Sequence, residues 1–147
     1  MRMIVLHLKR AVGALIGLGL CLCTGTAAAD VVAVVSAKSP AAAMNKNQVA
    51  DIFLGKASRF ADGSQAVPID QAEGSTARDE FYLNFTGKSP SQLKAHWAKI
   101  IFTGRGQPPL EVANGAELKK RVAENPHALG YIERNLVDDS VRVVFTP

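Results

Sequence analysis

Cysteine is nearly missing from this chain of 147 residues: Cys21 and Cys23 are the only two, and both lie near the N-terminus. Residues 30–147 therefore offer no thiol nucleophile, no disulfide and no cysteine metal site. Histidine is almost as scarce. His96 and His127 each lack a ligand-type residue at i+3 or i+4, so the sequence gives no metal centre and implies no cofactor. Gly74-Ser75-Thr76 lacks the second glycine of a nucleophile elbow and has no partner histidine, and the carboxylate pair Asp138-Asp139 falls in a polar stretch that reads as solvated. No catalytic residue is assigned, and the chain reads as a non-enzyme.

Long apolar runs are also lacking. The longest uncharged one, Ala11 to Cys23, follows a basic segment with Arg2, His7, Lys9 and Arg10 and precedes Ala27-Ala28-Ala29. It is short for a membrane span and has the layout of a signal peptide over residues 1–29, cleaved before Asp30 for export to the periplasm. Leu20 before Cys21 argues against a lipoprotein. The formal charge of +4 falls once the leader is set aside, because three of the 17 basic residues belong to it and 14 then face 13 acidic ones. A net charge near +1 excludes the basic field of a nucleic-acid-binding protein. The remaining residues, 30–147, suffice for one domain with one core.

Within that domain the pattern alternates. The β-branched run Val31 to Val35 predicts a strand covered on both faces. Asn45, three residues before Gln48, predicts a capped helix carrying Val49, Ile52 and Phe53 and ending at Gly55. Asp62-Gly63 marks a turn and Val67 to Asp70 a short strand. A helix opened by Ser75 carries Ala77, Phe81 and Phe85 on one face, with Tyr82 beside them. Ser89-Pro90-Ser91-Gln92 opens the next, with Leu93, Trp97, Ile100 and Ile101 on one stripe, and Trp97 reads as core. Residues 103–109 read as loop, Asn114 caps a helix carrying Leu118 and Val122, and strands follow at 128–132 and 141–145. Strands alternating with helices predict an α/β sandwich with a small, largely parallel sheet.

One stretch carries candidate chemistry. The strand Ala66-Val67-Pro68-Ile69 runs into Asp70-Gln71-Ala72-Glu73-Gly74-Ser75-Thr76-Ala77-Arg78, where a turn meets a helix start. The first turn of a helix has N–H groups without intrahelical acceptors and the positive end of the dipole, so it suits anions. Arg78 falls in that first turn, where the dipole disfavours a cation. A positive side chain there makes sense if an anion lies beside it.

Three segments resemble the phosphate-binding proteins of phosphate ABC transporters, especially short, single-lobe members. They are Asp51-Ile52-Phe53-Leu54-Gly55-Lys56 followed by Asp62-Gly63, the Gly74-Ser75 turn, and Leu129-Gly130-Tyr131-Ile132-Glu133. The resemblance implies a single lobe of a type II periplasmic binding protein-like fold over residues 30–147. In that family two lobes close on phosphate, which is held by N–H groups, hydroxyls and an arginine from a stretch reading Arg-x-Asp-Gly-Ser-Gly-Thr. Here Ser75 matches the serine and Gly74 the glycine before it. Gln71 stands at the arginine position, Glu73 at the aspartate, and Thr76-Ala77 replaces Gly-Thr. The ligand-binding set so implied is Gln71, Gly74, Ser75, Thr76, Ala77 and Arg78.

Two readings follow. The first is a periplasmic solute-binding protein for phosphate or a related oxyanion, serving phosphate uptake with an ABC transporter membrane component. The second is a single-lobe interaction module that has lost strong anion binding and docks to a membrane partner or to itself as a homodimer.

Overall fold

Val31–Val35 does form a strand, extended by one residue to Val31–Ser36 (β1), and every one of its residues is buried. A computed structural model describes residues 30–147; the leader expected over 1–29 lies outside the described residues. The remaining elements are α1 (Lys46–Phe53), β2 (Val67–Gln71), α2 (Thr76–Thr86), α3 (Pro90–Phe102), β3 (Leu110–Val112), α4 (Gly115–Glu124), β4 (Ala128–Glu133), a 3₁₀ turn (Arg134–Leu136) and β5 (Val141–Phe145). Each α-helix starts where its cap predicts. Asn45 and Ser89 form reciprocal capping boxes with Gln48 and Gln92, and Ser75 and Asn114 accept from the backbone three residues on.

The strands form one sheet of order β3-β2-β4-β1-β5. β2 is parallel to β3 and β4, whereas β1 is antiparallel to β4 and β5. Four of the five strands thus share one direction and β1 alone is reversed, giving a mostly parallel sheet flanked by helices. Successive residues of β4 show the two layers, because strand side chains alternate faces. A Cβ on Gly130 would come within 2.4 Å of Leu118 and 2.8 Å of Val122, so glycine here lets α4 lie flat on the sheet. Tyr131, facing the other way, stacks on Phe81 of α2 at 4.0 Å between ring centroids and meets Phe53 of α1 edge-on at 5.7 Å.

Phe81 and Phe85 are both buried, and Phe81 packs on Phe53, Tyr82, Phe85 and Tyr131. One sequence expectation changes. Ile101, expected on the inward stripe of α3, is 55% exposed. The buried residues of α3 are Leu93 and Trp97; its last turn runs past the core they reach.

Candidate functional site

The C-terminal ends of the parallel strands β2 and β3 lie beside the N-termini of α2 and α4, the arrangement in which open α/β sheets form ligand crevices. Gln71, the last residue of β2, sits between the two helix starts. Its side-chain oxygen accepts from Ser75 Oγ at 2.8 Å, and its Nε2 donates to the Tyr131 carbonyl at 3.5 Å. Across from it, a Cβ on Gly115 would lie 3.5 Å from that Nε2 and 3.1 Å from Leu136. Glycine at the first position of α4 therefore permits the close approach. The α4 start was legible in the sequence only as a cap; that it faces Gln71 follows from long-range strand pairing.

Of the ligand-binding residues expected from the sequence, Gly74 is exposed and turns the chain at φ +91°. Ser75 Oγ accepts from the Arg78 N–H at 3.3 Å. Thr76 is exposed and Ala77 buried; their N–H groups, in the first turn, have no intrahelical acceptors. Gln71 is 3% exposed, so its amide serves the strand-to-helix junction.

Arg78 has anions beside it, and both belong to the protein. Its Nε lies 3.4 Å from Asp70 Oδ2 and its Nη2 lies 3.4 Å from Glu111 Oε1, with the guanidinium 5.6 Å from the centroid of the Tyr82 ring. Burial disfavours the Arg78 charge, but the Asp70 carboxylate and then Tyr82 and Glu111 outweigh it and hold its pKa above the usual arginine value. Asp70 is 1% exposed. It accepts from the Tyr82 hydroxyl at 2.6 Å, from the Tyr131 hydroxyl and from the Gln71 N–H at 2.8 Å. These donors, with the Arg78 Nε, give the buried carboxyl the hydrogen bonds that burial demands. Burial first, and the Asp70 charge second, push both tyrosine hydroxyls far above their ordinary pKa.

Outside this network, a groove of about 260 Å³ runs between α3 and β3. Leu93, Trp97, Ile101 and Pro108 supply its apolar lining, and Glu73, Arg78 and Glu111 reach it from the junction. His96 is half-buried and bonds the Leu54 carbonyl at 2.9 Å. His127 is exposed, and Asp138 is exposed and paired with Lys119 at 2.7 Å. Among the described residues no group of His, Cys, Asp or Glu could hold a metal ion, and no helix is long and apolar enough to cross a membrane.

The fold is that of one lobe of substrate-binding proteins. A candidate phosphate ABC transporter substrate-binding protein with bound phosphate from Clostridium perfringens superposes with a TM-score of 0.61 at 24% identity, over 78% of this chain and 44% of its own. An ABC-type phosphate transport receptor from Vibrio cholerae gives 0.55 at 17% identity, covering 78% and 45%. PstS from Borrelia burgdorferi gives 0.56 at 14% identity, covering 78% and 46%. This chain therefore spans less than half the length of each of these neighbours. No family model and no curated protein matches it.

Proposed function

We propose that this chain is a periplasmic solute-binding lobe that receives phosphate or a related oxyanion where the N-termini of α2 and α4 converge on Gln71, and that it serves phosphate uptake through an ABC transporter membrane component. The observation that carries this reading is that convergence, at the C-terminal ends of parallel strands, with the Arg78 N–H donating to the Ser75 hydroxyl in the first turn of α2. Gly74 lets the chain approach an anion closely, the N–H groups of Thr76 and Ala77 in the first turn of α2 have no intrahelical acceptors to compete with it, and Ser75 and Arg78 add a hydroxyl and a charge. Fold neighbours described as phosphate-binding and phosphate-transporting support it. Export would release the chain with Asp30 first, and Asp30 is held at the domain boundary by an ion pair with Arg134. Isothermal titration of residues 30–147 with phosphate and with sulfate tests the site. A hydrogen bond to a charged group is worth roughly 1.5–3 kcal/mol, so Arg78→Ala weakens binding about ten- to a hundredfold. Ser75→Ala weakens it less and also costs the cap, about 1 kcal/mol of stability.

A second reading, an interaction module, is favoured by one specific observation. Phe102 is 93% exposed, and Ile101 and Leu110 more than half exposed, at the end of α3 and on the edge strand β3. Absence of heat with millimolar phosphate and sulfate would put this reading first, with a membrane partner or a second copy as the occupant of that face.

A further inference from the structure

We infer that Glu111 sets the affinity of the oxyanion site by acting as the displaceable counter-ion of Arg78. This rests on the oxyanion reading above. The two carboxylates that hold Arg78 are not equivalent. Asp70 has a 2% exposed side chain and accepts from the Gln71 N–H, two tyrosine hydroxyls and the Arg78 Nε. It cannot leave Arg78 without stranding buried donors, so it is fixed. Glu111 has one 3.4 Å contact, to Arg78 Nη2, and a 49% exposed side chain. It stands beside Asp70 in register, on the three-residue strand at the sheet edge. An exposed ion pair of this kind gives little net stability, so an incoming anion displaces Glu111 from Arg78 and leaves Asp70 in place. After displacement the glutamate charge stays close to the bound anion and opposes it, because like charges at a binding site lower affinity. Glu111 is therefore a brake on binding, while Asp70 orients the arginine.

Titration of the wild type, Glu111→Gln and Glu73→Gln with phosphate and with sulfate at pH 7 tests this. Glu73 reaches the same groove and makes no ion pair among the described residues, so it controls for a general loss of negative charge. Glu111→Gln is expected to tighten binding by about tenfold, while Glu73→Gln changes it by less than about twofold. Binding by Glu111→Gln alone, with none by the wild type, also supports the role. An unchanged or weakened Glu111→Gln beside a binding wild type overturns it and leaves the oxyanion reading standing. Equal gains in both variants overturn it as well, because the effect would then be general charge. No heat from the wild type or from Glu111→Gln removes the oxyanion reading and the brake together. Thermal melts establish that each variant is folded. If Glu111→Gln is not, Glu111→Asp, which draws the carboxylate back from Arg78, is expected to give part of the gain, and an unchanged affinity would overturn the inference.

Discussion

The chain has two tyrosines, and both donate to the one buried carboxylate, Asp70. This gives a clear expectation for alkaline conditions. In the unfolded chain a tyrosine ionises near pH 10. In the folded protein Tyr82 and Tyr131 are held well above that value, chiefly by burial and then by the adjacent Asp70 charge. Above about pH 10 the unfolded state has released protons that the folded state retains. The stability these groups confer is complete below the unfolded value and is lost as pH rises beyond it. Each group removes about 1.4 kcal/mol per pH unit in that window, so the pair removes about 3 kcal/mol per unit. Against a domain stability of about 5–15 kcal/mol, two units remove about 6 kcal/mol, enough to unfold a domain at the lower end of that range. Absorbance of tyrosinate near 295 nm, followed with circular dichroism, reads this directly. Both tyrosines are expected to ionise together, within the unfolding transition and not before it. A tyrosine that titrates smoothly near pH 10 while the fold persists would refute the buried Asp70 network.

Two further outcomes are expected. Phe81→Ala removes a fully buried ring that touches Phe53, Tyr82, Phe85 and Tyr131, and denaturant unfolding should show a loss of about 3–5 kcal/mol. When the full chain is expressed in a Gram-negative host, mass spectrometry of the periplasmic fraction is expected to find Asp30 as the first residue; an intact Met1 or a lipid on Cys21 would contradict the leader reading.

Much of the fold could be read from local signals because its start and stop residues are conventional. Asn45, Ser75, Ser89 and Asn114 all cap helices in the structure. The phrases that suggested a family turn out to be packing devices. A Cβ on Gly55 would come within 2.9 Å of Trp97, and Gly130 admits α4 to the sheet. β3 was not legible, since three residues between Pro108-Pro109 and Asn114-Gly115 are too few to show a period. The reversal of β1 was hidden too, because a strand covered on both faces looks alike in either direction. At the site, a first-turn arginine calls for a negative partner, and the chain supplies one eight residues upstream at Asp70. What could not be read was that Asp70 gathers hydroxyls 12 and 61 residues away. A carboxylate at the end of an apolar strand was the available clue.

The position of β1 has a consequence for how the domain is made. Its neighbours are the last two strands, with Val31 opposite Glu133 and Ser36 opposite Val141. During synthesis the first strand waits for nearly the whole chain before either edge is paired. Helices can form early, but the central sheet closes only when the final residues arrive, so long-range pairing sets the folding rate. A chain stalled before β4 would present the apolar run Val31–Val35 with two open edges, and one lacking only β5 with a single open edge, each a template for association with other chains. The five residues of β5 therefore serve as the latch on the six of β1.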